Sequence, residues 1–206
     1  NQIEQDYEKW KSFLYKNPEK YVAIGEIGLD FHHAKTLKKR KAQIEFFDRI
    51  LADTKDLKKP YVLHVRNPSK NDIDPKHHDH PFNNSDAANQ QILKLTESHN
   101  INPRNVMWHC FAGPKEWSST LVQKGFMLSV ITSGYRNRKM RLNTKKVPLK
   151  NLLTETDSYW QHPLKFRGVN MPINVKYAVA IIAYTHNLDQ QHVASQVYQN
   201  ACNFFN

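Results

Sequence analysis

Short apolar runs alternate with amphipathic stretches along this chain, and the two kinds of segment follow one another in a regular order. Tyr21-Val22-Ala23-Ile24 has strand length and composition and ends in Gly25-Glu26-Ile27-Gly28-Leu29-Asp30. A basic stretch follows, then a helical pattern with Ile44, Phe47, Ile50 and Leu51 on one face. Pro60 opens a second strand, Tyr61-Val62-Leu63, which ends in His64-Val65-Arg66. The polar, proline-punctuated stretch from Asn67 to Asp86 reads as a surface-loop insertion, and a helix over about Ala87 to Ser98 returns the chain. Val106-Met107-Trp108, Phe126 to Ile131 and Leu152-Leu153 supply three more strands, with a helix carrying Trp117, Leu121 and Val122 between the first two. The last stretch predicts two helices, the second capped by Asp189.

Strand–helix alternation means a parallel sheet with right-handed crossovers. Glu26, His64, His109 and Asp157 each come directly after an apolar strand run, at the carboxyl end of a predicted strand. In a closed barrel such ends converge on one mouth; in an open sheet they spread along an edge. The expected fold class is therefore α/β, a TIM-type β/α-barrel formed by residues 1–206 as a single domain. Five strands are visible where a closed barrel has eight, so the barrel is expected to be incomplete, with about five of the strand–helix units and without the first strands.

Composition narrows the setting. No apolar run approaches the ~20 residues of a membrane span, and the polar start is neither a signal peptide nor an Arg-rich transit peptide. Cys110 and Cys202 are too few for a disulfide framework and match no zinc spacing, so two reduced thiols in a cytoplasmic protein are expected. The formal net charge is +11, which attracts polyanions such as a phosphate backbone, although a genome rich in Lys and Asn would give the same balance.

Two imidazoles and two carboxylates on one rim form a ligand set for a divalent ion. Singly, each has an ordinary structural explanation; four at four strand ends are harder to dismiss. Ala23-Ile24-Gly25-Glu26-Ile27-Gly28-Leu29-Asp30 resembles the signature of the TatD family of metal-dependent deoxyribonucleases. Val62-Leu63-His64-Val65-Arg66, Trp108-His109-Cys110-Phe111-Ala112-Gly113 and Leu152-Leu153-Thr154-Glu155-Thr156-Asp157 are similar to later segments of that family, in the family's order. So are Arg167-Gly168-Val169-Asn170-Met171-Pro172 and the terminal Asn200-Ala201 with Phe204-Phe205.

The resemblance implies hydrolysis of DNA phosphodiester bonds by a metal-activated water, with two divalent ions (Mg, Mn or Zn) in the complete site. It implies that Glu26 bridges the ions, that His64 and His109 complete one site, and that Asp157 belongs to the other and accepts a proton from the water. Glu26 and Asp157 are thus the catalytic candidates. Arg66 and Arg167 become candidates for substrate phosphate, which a guanidinium pairs bidentately. The expected partner is DNA, with no membrane.

The chain also departs from the family pattern. Family members begin with a strand ending in His-x-His, and no histidine stands before Glu26 here. His78-x-His80 lies in the polar 67–86 segment with no strand leading into it, and reads as part of a solvated insertion and not as a replacement. Asp30 reads as a carboxylate that positions the Gly-rich turn, and His32-His33 as the start of the next crossover. The run Arg136 to Arg141 is the densest basic cluster, either a DNA contact or a solvated face. Two other functions stay open on the sequence: a related amidohydrolase-like metal hydrolase, and a degenerate chain that binds nucleic acid without cleaving it.

Overall fold

The computed structural model describes residues 2–77, 79–113, 115–164 and 168–206. The chain divides into two compact units, Asn1–Asn102 and Pro103–Asn206. All five strands described run in parallel pairings within their units.

The first unit holds α1 (Gln2–Lys16), β1 (Ile24–Asp30), α2 (Leu37–Thr54), β2 (Tyr61–Arg66) and α3 (Ala87–Ser98). Thr36 caps α2 by accepting a hydrogen bond from Lys39 N, and Phe47, Ile50 and Leu51 form its buried stripe. These side chains and Ile24, Leu29, Leu63 and Ile92 are removed from water; each contributes roughly 1.5–3 kcal/mol through burial. Helix α1 is fastened to α2 through polar contacts: the Tyr7 hydroxyl donates to Asp53 Oδ2 at 2.8 Å, and Arg49 reaches both carboxylate oxygens of Glu4 while lying 4.2 Å from the Tyr7 ring centroid.

The polar 67–86 segment is more organised than its composition suggests. It carries two short 3-10 turns, 70–72 and 75–77, and folds around Arg40, which is only 1% exposed. Arg40 donates to the carbonyls of Ala34, Asp72 and Phe82 and to the Asn83 side chain, and Asn83 in turn donates to the carbonyls of Asp74 and His77. A buried cation is tolerable only with its donors satisfied, and the loop carbonyls do that here.

The second unit holds β3 (Val106–Trp108), α4 (Lys115–Lys124), β4 (Met127–Ile131), α5 (Arg138–Thr144), β5 (Leu152–Glu155), α6 (Val175–His186) and α7 (Gln190–Phe205). Strand β4 lies between β3 and β5, with Leu128 opposite Trp108 and Leu152. Asp189 caps α7 as expected, its side chain accepting from His192 N at 3.0 Å. Asn200 on α7 explains the terminal motif: its buried amide donates to the carbonyls of Leu149 and Leu152, both at 2.8 Å, and pins the helix to the start of β5. The basic run Arg136 to Arg141 folds into a 3-10 turn and α5. Asn137 caps that helix, Met140 and Asn143 turn inward, and Arg136, Arg138 and Lys139 are exposed.

Candidate active site

The first strand is where expectation and structure part. The run Tyr21 to Ile24 was expected to be the strand, with Glu26 beyond its end; β1 instead spans Ile24–Asp30 and Glu26 lies within it. The Gly-Glu-Ile-Gly tetrapeptide looks like a turn because glycine is a poor strand former. Here glycine is required by close approach. A side chain on Gly28 would place its Cβ 2.1 Å from the His64 carbonyl oxygen, and one on Gly25 would fall 2.7 Å from the Val62 carbonyl oxygen. Gly28 also holds φ at +144°, outside the range that other residues favour.

The pairing of β1 with β2 then explains how the polar residues meet. Ile24 pairs with Tyr61 and Ile27 with Leu63, so β1 uses one residue more than β2 over that interval. Such a bulge reverses the alternation of faces. Ile24 and Leu29, five apart, both turn to the core. Gly28 stands opposite His64, with Glu26 and Asp30 two residues to either side. As a result His64 lies between two carboxylates. Its Nδ1 is 2.5 Å from Glu26 Oε1 and its Nε2 is 3.2 Å from Asp30 Oδ2. The Glu26 hydrogen bond raises the His64 pKa above its ordinary value, against the opposing effect of burial.

Asp30 is further engaged by His33, whose backbone N–H and ring Nδ1 reach the two carboxylate oxygens at 2.9 and 2.7 Å. Burial alone would push the Asp30 carboxyl up, but the His33 hydrogen bonds and the facing His64 outweigh it, and its pKa falls below the usual value. Arg66 ends β2 two residues beyond His64 and is exposed on the same strand face.

The second unit contains a similar pair. His109 follows β3 directly, and its Nδ1 lies 2.5 Å from Oε2 of Glu155, the last residue of β5. The other oxygen of Glu155 accepts from the Cys110 backbone N–H at 2.6 Å and from the buried Ser129 hydroxyl. Cys110 takes a left-handed backbone conformation, φ +48°, where the chain turns out of β3. With Nδ1 held by a carboxylate, Nε2 is the ring atom left to face a metal, an arrangement recurrent around ligating histidines. Glu155 is not singled out by the motif that contains it; the signal for it in the sequence is a charged side chain ending a strand otherwise made of Leu and Thr.

Asp157 lies two residues past the end of β5 in a left-handed conformation, φ +53°, and its carbonyl accepts from Trp160 N at 2.8 Å. The nearby Asn170 is 2% exposed and donates to the Thr156 carbonyl at 2.7 Å and to the Thr132 hydroxyl at 3.1 Å, which ties down the loop carrying Asp157. Arg167 and His78 fall outside the described residues. His80 accepts from Phe82 N through Nδ1 within the 67–86 segment.

Parallel β/α architecture with histidine and carboxylate pairs at its strands defines a class, the β/α-barrel metal-dependent hydrolases. Within it, a family model described as TatD related DNase matches residues 1–206, and the chain belongs to that family. It is 27% identical to a metal-dependent hydrolase of Methanocaldococcus jannaschii, itself described as uncharacterized, over 96% of this chain and 68% of that protein. It is 31% identical to another of that description from Buchnera aphidicola, over 93% of this chain and 65% of the relative. The crystal structure of a hydrolase TatD family protein from Entamoeba histolytica covers 100% of this chain and 70% of its own, with a TM-score of 0.79 at 18% identity. The fold class is that of the TatD barrels, of which the described residues carry five strands. It spans about two thirds of the length of these relatives. No helix among the described residues is long and apolar enough to cross a membrane.

Proposed function

We propose that this chain is a metal-dependent hydrolase that cleaves DNA phosphodiester bonds. The observation that carries the reading is the placement of His64 between Glu26 and Asp30 on two adjacent parallel strands. The donor set suits a divalent ion: imidazole nitrogens and carboxylate oxygens, held by backbone register and only partly buried. In this reading Glu26, His64, His109 and Asp157 hold divalent metal, with the description of the family as DNases and the basic charge favouring a nucleic-acid substrate.

A bound divalent ion would supply Lewis-acid stabilisation of charge on the phosphate and lower the pKa of the attacking water. The protein's own residues do the rest. Asp30 and Glu155 fix the two imidazole rings, and Glu26 and Asp157 offer carboxylate oxygens, Asp157 also accepting the proton released by water. Arg66 is assigned to substrate phosphate on the strength of its place two residues from His64. Arg167 is assigned there from the family motif alone.

The test is cleavage of single- and double-stranded DNA with Mg²⁺, Mn²⁺ or Zn²⁺, beside Glu26→Ala. Metal-dependent cleavage should fall by more than about 100-fold in the variant, beyond what changes outside the ligand set usually cost. Binding without cleavage under every metal would reject the hydrolase and favour a chain that only holds nucleic acid.

A further inference from the structure

The loop after β5 presents two large aromatic side chains to solvent while its backbone is firmly held. Tyr159 is 64% exposed and Trp160 is 65% exposed, with ring centroids 5.0 Å apart and planes tilted by 45°. The backbone beneath them is bonded at three points. Trp160 N donates to the Asp157 carbonyl and Asn170 N to the Tyr159 carbonyl, while the Thr132 hydroxyl donates to the Gln161 carbonyl at 2.7 Å. An ordered segment that holds a tyrosine and a tryptophan about two-thirds exposed leaves uncovered most of the roughly 150–250 Å² that each such side chain can bury.

The same loop is met by positive charge. Arg136 Nε donates to the His162 carbonyl at 3.2 Å, two residues from Trp160, and Arg136, Arg138 and Lys139 are all exposed. Exposed rings beside a basic segment, two and three residues after Asp157, combine a stacking surface with a backbone track. That combination suits unpaired bases on a phosphate backbone. In a duplex the base faces are already stacked on one another and closed to such rings.

We propose that Tyr159 and Trp160 form a base-stacking platform that makes single-stranded DNA the preferred substrate, with Arg136 and Arg138 following its backbone. The proposal rests on the nuclease reading for its choice of DNA.

Binding of a short oligothymidylate strand, of an abasic strand of equal length and of the matching duplex would be measured by fluorescence anisotropy in chelator, where no cleavage occurs. Tyr159→Ala with Trp160→Ala should weaken oligothymidylate binding by about 100-fold, about tenfold for each stacked base, and leave the abasic strand unchanged. Trp160→Phe should retain most of the affinity that Trp160→Ala alone loses, and thermal melting followed by circular dichroism checks that each variant is folded. Equal binding by the double variant and the unaltered protein would overturn the proposal. So would an equal loss for the abasic strand, tighter binding of duplex or of RNA, or a drop in sedimentation mass showing that the rings join copies of the chain. Hydrolysis of bis(p-nitrophenyl) phosphate and DNA by the unaltered protein separates the two readings. No hydrolysis with intact stacking rejects the nuclease alone; hydrolysis with no stacking effect rejects the platform alone.

Discussion

At the scale of single residues, the two candidate ligand histidines are positioned by different means, each within its own unit. His64 is fixed by register, since its partners stand on the neighbouring strand at the two diagonal positions around Gly28. His109 lies just beyond a three-residue strand and depends on Glu155, which also holds Cys110 N and Ser129. Glu155→Gln keeps the shape but replaces one charged acceptor oxygen with an amide nitrogen. Its effect should therefore reach the metal through His109: affinity is expected to fall about 10- to 100-fold with one ion's stoichiometry retained at saturation. Chelator competition and calorimetry read the two quantities, and an unchanged affinity would show that Glu155 is structural only.

At the scale of elements, the 67–86 segment shows how a polar stretch can be built in. Asp72 accepts from Lys35 Nζ at 2.8 Å and from the Ser69 hydroxyl at 2.5 Å, and these bonds, Lys35 first, hold its carboxyl far below the usual range. A depressed folded pKa means stability that is complete above about pH 5 and drains away as pH falls through the unfolded pKa of about 3.9 toward the lower folded value. Asp72→Asn should lower the urea midpoint at neutral pH and leave a shallower decline between about pH 5 and 3 than the unaltered protein shows. Parallel curves would deny Asp72 this part.

The order of strands and helices was legible because apolar periodicity reports which faces are buried, and α3, α7 and its Asp189 cap lie where that pattern put them. The limits of β1 were not, because two glycines demanded by close strand approach look the same in a sequence as two glycines of a turn. Glu26 and His64 stood out as chemistry-bearing residues, yet the bulge that brings their side chains together depends on pairing with a segment 38 residues away. Arg40 likewise gave no sign of being a buried anchor, since a basic stretch reads as solvent-facing until the loop that covers it is seen.

At the scale of the whole molecule, a formal charge of +11 is a statement about partners and their salt sensitivity, and it says nothing about fold. Charge spread evenly over the surface would attract DNA weakly, releasing few counterions. Charge gathered where Arg136, Arg138 and Lys139 stand beside the Tyr159–Trp160 loop should release several together. With about four phosphates neutralised, the logarithm of single-strand affinity should fall with the logarithm of salt at a slope near −3, about a 50-fold loss from ~50 to ~200 mM NaCl. Arg136→Gln with Arg138→Gln should flatten that slope by about 1 to 1.5 for every base sequence alike, because phosphate contacts carry no sequence information. Replacing the two rings should leave the slope where it is and shift only the intercept, since stacking displaces no counterions. A slope near zero in the unaltered protein, or one indifferent to the arginine changes, would place the DNA elsewhere and leave the basic run as a solvated helix face.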